Sequence, residues 1–480
     1  MIGNKFKKYI LALIAMSGIA FSSCEDLLEQ TSPDTLTTDN YWRTPDDVRR
    51  FAVAVYDQLS YFTWKFGEVE FVCENLRGDD LVAAPGATQY GYLGRVVNFT
   101  NNDEWSPRNI WYKNYNMIHL SNQALANMGR VSGLSDADKA KFEAEFRFLK
   151  AYAHFDIWKN FHGVIIRDEV VSNGEQIDKA LATEAEIDEY FVREFTAAAN
   201  GLPAKWDDNN YGRATSGAAW AYLGKFHLYR KQWAEATAAF AKVTGYGLED
   251  NFRSLFNGTN EQNKESIFVS KFSIDANTSQ HSNLGLALVP GEKNGWNLVR
   301  VSEFATNSYE ANDIRKDASV LLDGGTLEGE TVDFDDENMR MLAKYVESMD
   351  IVNTGKSGTD YILMRYADVL LMNAEALNEQ NQTGPALAAL NQVRSRAGLG
   401  NFSGAQAEIR TEIKKQRMLE LLGEGHRFYD LVRWGNPKQA LSVEGGHPGA
   451  VNFEEGKHNY FPIPAVEYDE NNLVDPTPKF

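Results

Sequence analysis

Apolar side chains recur every three or four residues over several long stretches of the chain, which is the spacing of one face of an α-helix. The first stretch begins near Pro45, and a long helix is predicted to start near Pro107. A third stretch has its apolar positions at Phe142, Phe146, Leu149, Ala153 and Ile157. Together these patterns predict a mostly α-helical protein.

One predicted helix pair carries the pattern of a tetratricopeptide repeat. In "AAWAYLGKFHLYRKQWAEATAAFAKVTGYG", Trp220, Leu223 and Gly224 match the Trp-x₂-Leu-Gly opening of that motif. Ala236 and Phe240 match its second helix, in which a small residue lets the two helices approach. The closing proline of the motif is absent.

A related pair recurs later, with Ala367, Leu371 and Ala374 giving its first helix the same small and large pattern. The two repeats do not follow at a fixed period, because residues 250–358, rich in Gly, Asn, Asp and Ser, separate them. Residues 73–104 also carry turn-forming residues and are predicted to be loop. The chain is therefore predicted to be a tetratricopeptide-like helical-repeat scaffold with large irregular loop insertions.

The predicted organisation is a single domain over residues 45–480. Its repeat-like helix pairs are expected near residues 107–160, 184–246 and 360–397, with the loop-rich insertion at 250–358. Residues 24–44 are polar and rich in turn-forming residues, so they are expected to be a tether that docks onto this domain.

Residues 1–23 are predicted to be a lipoprotein signal peptide. Three lysines form a basic region, and the apolar run after them is too short to span a bilayer comfortably. Two serines then precede Cys24, the predicted lipidation site, although an ordinary secretory peptide with a chance cysteine is the alternative. Several acyl chains on this cysteine would give stable membrane anchoring. Glu25 and Asp26 follow, and resemble the surface-export signal of Bacteroidetes lipoproteins.

Size and charge limit the function classes. A chain of 480 residues with 43% hydrophobic composition can bury a large core. Its formal net charge of −19 opposes attraction to phosphate backbones, so no nucleic-acid partner is expected. Once Cys24 is lipidated, Cys73 has no cysteine left to pair with and is predicted to be a buried thiol.

The segment "LLGEGHRFYDLVRWGNP", residues 421–437, combines histidine, carboxylate and arginine side chains. Such a combination suits an acid/base site, an anion-binding site, a nucleic-acid-binding surface or the end of a helix with a purely structural role. On a helix, Arg427, Asp430 and Arg433 share one broad face and are predicted to pair there. The apolar side chains that fall on another face are Phe428, Leu431 and Val432. A glycine and a proline then end the helix, and we interpret the segment as structural.

Catalytic motifs are absent from the sequence. It contains no H-E-x-x-H, P-loop lysine, G-x-S-x-G or paired C-x₂-C motif. Residues 333–344 resemble a calcium loop but lack its glycine at position 6 and have Lys344 where a bidentate Glu is needed. Neither a metal nor a cofactor is expected, and no pair of glycosidase carboxylates can be nominated from spacing.

The chain resembles a SusD-like (SusD/RagB) protein, a glycan-capturing outer-membrane lipoprotein of Bacteroidetes. Stretches that carry the resemblance include "EFRFLKAYAHFDIWKNFHGV", "ILMRYADVLLMNAEALNE" and "KQRMLELLGEGHRFYDLVRWG", and matches run through almost the whole mature chain. One departure is "FHGVIIRDE", where the family more often has a Gly-Asp-Val-Pro-like turn.

The resemblance implies a surface protein, lipid-anchored in the outer membrane and facing the cell exterior. Such a protein binds oligosaccharides without turnover and delivers them to a SusC-type TonB-dependent transporter. A surface-anchored glycan hydrolase is the alternative. Release of sugars from polysaccharides would distinguish the hydrolase from the binding protein.

Sugar binding needs flat aromatic faces for the C–H side of pyranose rings and polar groups at the rim. The resemblance implies that such sites lie in the loops before the first repeat and within the central insertion. The candidate sugar-binding residues there are Trp64, Asp79, Tyr90, Tyr92, Arg95, Asn98, Asn101, Trp105, Asn294 and Trp296. For each aromatic, a packed loop anchor is the alternative. Five other tryptophans are assigned to the scaffold, namely Trp158, Trp206, Trp220, Trp233 and Trp434.

Overall fold

Helices joined by short strands and turns make up the fold. The computed structural model describes residues 41–59, 68–89, 91–100, 105–171, 176–274, 280–349, 356–444 and 446–474. The helices are α1 (Pro45–Asp57), α2 (Glu68–Asn75), α3 (Gly91–Val97), α4 (Trp105–Asn127), α5 (Asp136–Phe161), α6 (Glu184–Gly201), α7 (Ser216–Tyr229), α8 (Trp233–Phe240), α9 (Leu284–Leu288), α10 (Glu303–Ser308), α11 (Arg315–Ser319), α12 (Tyr366–Glu379), α13 (Thr383–Arg396), α14 (Gln406–Glu420), α15 (Arg427–Trp434), α16 (Pro437–Gln439) and α17 (Ala465–Glu470). The strands are β1 (Leu81–Ala83), β2 (Ser266–Ser270), β3 (Val299–Val301), β4 (Val320–Leu322), β5 (Gly325–Leu327), β6 (Glu330–Val332), β7 (Arg340–Leu342) and β8 (Tyr361–Arg365).

Local capping groups set the ends of the predicted long helices. At the start of α1, the Thr44 hydroxyl accepts the Asp47 N–H, and the Asp47 carboxylate accepts the Thr44 N–H at 2.8 Å. At the start of α5, the Ser135 hydroxyl accepts the Asp138 N–H, and α5 ends at Phe161, followed by the cap residue His162, whose φ is +56°. These groups satisfy backbone donors and acceptors that a helix leaves free at its ends. The helix predicted to start at Pro107 is confirmed and starts two residues earlier.

Helix α5 lies at the centre of the scaffold and packs against α1, α4, α6 and α7. Its predicted apolar stripe is buried, but so are charged positions such as Glu145 and Lys150. The Arg213 guanidinium donates to the Glu145 carboxylate with an Nε–Oε1 distance of 2.7 Å, and the Lys150 ammonium lies 2.5 Å from the Asp168 carboxylate. Because neighbours surround the helix, its polar face is buried as ion pairs instead of facing water.

Helices α7 and α8 form the predicted repeat, and a glycine allows their close approach. A Cβ atom added at Gly224 would overlap the ring of Phe240 on the facing helix. The pattern placed the small residue in the second helix, at Ala236, which is also fully buried. Both small residues therefore face the helix contact.

The two repeats stack directly although the insertion separates them in sequence. Helix α8 packs on α12, and α12 in turn packs on α13 and α14. Across the first contact, the Gln380 amide donates to the Trp233 carbonyl and to the Thr237 hydroxyl, each at 3.1 Å. The predicted helical-repeat scaffold is therefore confirmed, and it continues past the insertion as one stack.

Short antiparallel strand pairs are formed by segments of the insertion, of the first predicted loop and of the chain just before α12. Strand β1 pairs with β3, β2 with β8, β4 with β7, and β5 with β6. The prediction of loop over residues 73–104 is wrong in part, because the end of α2, all of β1 and all of α3 lie there. Elements this short carry too few residues for a periodic pattern, and β1 is stabilised by a strand that is distant in sequence.

Candidate functional site

The segment 421–437 is part of a buried ion-pair network. The Arg427 guanidinium donates to the fully buried Asp79 carboxylate at 2.5 and 2.7 Å. Asp430 accepts instead from Arg417 at 2.7 Å and from Arg433 at 2.9 Å. The predicted pairing of Asp430 with Arg433 is confirmed, and the predicted pairing with Arg427 is wrong. The predicted inward packing of Phe428 and its apolar neighbours and the helix end at a glycine in the left-handed region are also confirmed.

A second set of buried charges ties this segment to β8. Arg365 donates to Glu265 at 2.8 Å, to Glu420 at 2.5 Å and to Glu424 at 2.6 Å. Burial by itself would raise the pKa of the Glu420 carboxyl, but the surrounding guanidinium groups hold that pKa well below its usual range. The pKa of the Glu424 carboxyl is lowered in the same way by Arg365 and Lys344, so Glu420 and Glu424 stay ionised and paired, which is a structural arrangement.

His426 is buried beside Lys225 and Asp368. Its Nδ1 lies 3.3 Å from the Lys225 ammonium, and its Nε2 lies 3.7 Å from the Asp368 carboxylate. Burial and the neighbouring Lys225 lower the pKa of the imidazole to about 3. The ring is therefore neutral at physiological pH and enclosed, which supports the structural interpretation of the segment.

An interior cavity of about 50 Å³ lies next to this network. Its walls combine charged groups such as Glu70, Lys113 and Lys159 with the rings of Tyr152 and Tyr222. Ligand sites usually enclose about 300–1,000 Å³, so this cavity is too small for an oligosaccharide. It has the size and polarity to hold ordered water.

The predicted sugar-binding residues fall into three groups. Trp64, Tyr90 and Asn101 lie outside the described residues, and so do the side chains of Tyr92 in α3 and Trp105 in α4. Asp79 is buried and fully engaged with Arg427, so its carboxylate supports the fold at the base of this region. Arg95 and Asn294 are exposed, and Asn98 and Trp296 are half-buried.

The pairing of β1 with β3 brings the two predicted sugar-binding regions together. Leu81 lies opposite Val301, and Ala83 opposite Val299. The pairing continues one step further, since the Ala84 N–H donates to the Leu298 carbonyl at 3.0 Å. The loop that follows β1 and the turn that precedes β3 are therefore neighbours in space.

Trp296 sits in a turn fixed by backbone hydrogen bonds. Its N–H donates to the Leu286 carbonyl at 2.9 Å, and the Asn297 N–H donates to the Val289 carbonyl at 2.9 Å. A Cβ atom added at Gly295 would overlap that Val289 carbonyl, so only glycine allows this approach. The sequence signals the turn by its glycines but does not reveal the backbone contact that holds the indole in place.

The polar candidates belong to two anchored segments. Asn294 has a φ of +61° and ends the one-turn 3₁₀ helix Gly291–Lys293. Asn98 follows α3, its amide donates to the Gly94 carbonyl at 2.7 Å, and its own carbonyl accepts from the Asn452 amide at 3.0 Å. The exposed turn therefore carries the amide side chain of Asn294, and the end of α3 carries that of Asn98.

Burial alone does not separate Trp296 from the scaffold tryptophans. Like Trp206, Trp220 and Trp233, it is half-buried and packs against the main core, whereas Trp158 is fully buried. The difference is position, because the scaffold tryptophans lie in or beside the repeat helices and Trp296 lies in a turn. A half-exposed indole in a rigid turn suits stacking against a sugar ring.

Within the described ranges, no helix combines the length and apolar composition that a membrane span requires. The same residues hold no cluster of three or more His, Cys, Asp and Glu side chains arranged for a metal ion. Cys73, as predicted, is buried.

Two family models match the chain. The model described as the SusD family matches residues 264–479, and the model described as starch-binding, associating with the outer membrane, matches residues 48–228. SusD-like protein P2 of Formosa agariphila is 27% identical over 98% of this chain and 99% of its own length. A SusD-like protein of Bacteroides ovatus is 24% identical over 89% of this chain and 83% of its own.

Solved structures share the same fold. A SusD superfamily protein from Bacteroides vulgatus aligns with a TM-score of 0.81 and 25% identity, covering 92% of this chain and all 100% of its own. A laminarin-binding SusD-like protein aligns with a TM-score of 0.79 and 27% identity, again covering 92% and 100%. Fold and matches together define an outer-membrane-associated, glycan-binding protein on a helical-repeat scaffold. The chain belongs to the SusD (SusD/RagB) family of binding proteins.

Proposed function

We propose that this protein captures oligosaccharides at the cell surface and delivers them to a SusC-type TonB-dependent transporter in the outer membrane. In this proposal Cys24 carries the lipid anchor, and the body of the protein faces the cell exterior. The loops around Trp296 bind the glycan, and the helical repeats contact the transporter.

The observation that carries the proposal is the pairing of β1 with β3. It sets the rigid turn of Trp296 beside the segment that follows β1, in which Tyr90, Tyr92, Asn98, Asn101 and Trp105 lie in sequence. A flat indole face with amide groups near it is the chemistry that pyranose rings require. The relative named as laminarin-binding supports a glucan as the first ligand to test.

Retention by polysaccharide with a parallel assay for cleavage tests binding against hydrolysis. Purified residues 25–480 are run through native gels that contain laminarin or starch, and new reducing ends are measured in the same mixtures. Slowed migration without new reducing ends is expected for at least one glycan on these gels or on a broad glycan array. Accumulating reducing ends would favour the hydrolase, and absence of retention on every glycan would contradict the proposal.

Gentle detergent extraction tests the transporter partner. The lipidated protein is expected to co-purify with a large β-barrel transporter through an interface of roughly 1,000 Å² or more. A clean monomer from native membranes in every mild detergent would contradict the partnership and leave glycan binding unaffected.

A further inference from the structure

A groove of about 280 Å³ lies between the first repeat and the helices that follow the second. Its walls come from the turn between α7 and α8 and from helices α12, α14 and α15. The half-buried indoles of Trp233 and Trp434 supply its apolar surface, and the other apolar lining residues, Leu228 and Ile413, are almost fully buried. The volume is close to the lower end of the range of about 300–1,000 Å³ that ligand sites enclose.

Positive charge exceeds negative charge in this groove. The charged residues that line it are Lys231, Glu375, Glu379, Arg410, Lys414 and Arg433. Both carboxylates are already paired, Glu375 with the Arg433 guanidinium at 2.7 Å and Glu379 with the Arg410 guanidinium at 2.5 and 2.9 Å.

Lys231 and Lys414 are the two cationic lining residues that do not pair with these carboxylates. In the part of the chain that the structure describes, neither Lys231 nor Lys414 has a carboxylate within 4.0 Å. The Lys414 ammonium lies 4.7 Å from the centre of the Trp434 ring, so aromatic surface and positive charge are adjacent. The residues that line the groove therefore carry two more positive than negative charges, in a chain whose net charge is −19.

This combination favours an anionic ligand that also has an apolar side chain. The net negative charge of the protein repels acidic partners. An acidic ligand is therefore attracted only to a part of the surface that is locally positive, such as this groove. Stacked helical repeats present extended concave surfaces, which suit an extended chain. An acidic peptide supplies carboxylates for the two lysines together with an apolar side chain that can pack against the two indoles, whereas an acidic sugar has no apolar side chain to place there.

We propose that this groove binds an extended acidic peptide segment of a partner protein. Carboxylates of the segment pair with Lys231 and Lys414, and an aliphatic side chain between them packs against Trp233 and Trp434. The site is independent of the glycan-binding proposal, because it is built from the repeat helices and not from the β1–β3 region.

Fluorescence anisotropy with a designed probe tests the site. The probe is a fluorescein-labelled heptapeptide with acidic residues on both sides of a leucine, compared with the same peptide in which Asn and Gln replace Asp and Glu. Residues 25–480 are expected to bind the acidic probe at least tenfold more tightly than its amide analogue, with affinity falling as salt is raised. The double variant Lys231→Glu with Lys414→Glu is expected to lose at least tenfold in affinity for the acidic probe.

Matched variants separate the groove from the general field of the protein. Lys205→Glu with Lys264→Glu makes the same charge change at two exposed lysines outside the groove and is expected to stay within twofold of the parent. Lys231→Arg with Lys414→Arg keeps the charges and is expected to retain most of the affinity.

Three results would overturn the proposal. Equal affinity for the two peptides would exclude charge recognition, and equal losses in the two charge-reversed variants would indicate a non-specific field effect. Binding of oligogalacturonate that depends on Lys231 and Lys414, without binding of the acidic peptide, would assign the groove to acidic sugars.

Discussion

Gly224 shows how a single residue fixes the spacing of two repeat helices. Gly224→Ala would drive a methyl group into the buried ring of Phe240, and overpacking of this kind costs about 1–3 kcal/mol. The midpoint of thermal unfolding is therefore expected to fall by several degrees. Gly384→Ala is the matched control, because a Cβ atom there meets no other atom within 4 Å in the same type of helix pair. Equal unfolding midpoints for the two variants would contradict a close contact between Gly224 and Phe240.

His154 is expected to make stability sensitive to mild acid. Burial lowers the pKa of its imidazole to about 3, and its Nε2 accepts the Arg167 N–H at 3.1 Å, a bond that protonation would break. An unfolded histidine has a pKa of about 6.5, so the unfolded chain binds more protons than the folded chain between pH 3 and 6.5. The free energy of unfolding therefore falls as pH falls through this window.

Urea unfolding at pH 7 and pH 5 measures this contribution. His154 alone is expected to account for about 2 kcal/mol of the loss between these two values. His154→Gln removes the titrating group, so the variant should lose correspondingly less stability than the parent over the same interval. His426, whose pKa is lowered in the same direction, stays in both proteins and cancels in the comparison. An unchanged pH dependence in the variant would show that His154 does not titrate as described.

At the scale of secondary-structure elements, the turn before β3 is expected to control glycan affinity. Gly295→Ala would push a methyl group against the Val289 carbonyl and displace Trp296. The affinity for a bound glycan should fall several-fold, while the repeat helices keep their stability. Gly291→Ala is the control in the same turn, since a Cβ atom there meets nothing within 4 Å. Titration calorimetry that finds the two variants equal would contradict a role for the rigid turn.

The length of an element decides whether the sequence could predict it. Helices such as α4 and α5 are long enough for their apolar spacing to be read locally, and both were predicted. Strand β1 has three residues, and its partner lies more than 200 residues away, so no local pattern announces it. Arg427 illustrates the same difficulty, because it pairs with Asp79, 348 residues away, and not with the carboxylate three residues along its helix.

The candidate site was predictable to a smaller extent. Its two regions could be named from glycine-rich segments with aromatic residues, but their proximity depends on the β1–β3 pairing. A carboxylate in a turn-rich segment suits a sugar hydroxyl group, so the sequence predicts Asp79 as a sugar-binding residue. Its burial against Arg427 depends on the tertiary fold, which the sequence pattern around it does not encode.

At the scale of the whole molecule, membrane attachment depends on one thiol. Cys24→Ala is expected to abolish acylation, because the cysteine sulfur is the proposed acceptor, and to release the protein from membranes. Metabolic labelling with a fatty acid checks this outcome, with Cys73→Ala as the control at a buried thiol. Continued labelling of the Cys24→Ala protein would mean that the anchor lies elsewhere.

The most direct test of glycan capture by the loops around Trp296 is a calorimetric titration. Trp296→Ala is titrated with the glycan that gel retention identifies. Stacking of one aromatic ring contributes about 0.5–1.5 kcal/mol beyond area burial, so affinity is expected to fall several-fold. Trp220→Ala is the matched control, because that half-buried tryptophan packs against the same core but lies in α7. The account predicts similar small losses of thermal stability in both variants and weaker glycan binding in Trp296→Ala alone. Unchanged affinity in Trp296→Ala, or a large loss of its stability without a specific loss of binding, would contradict the account.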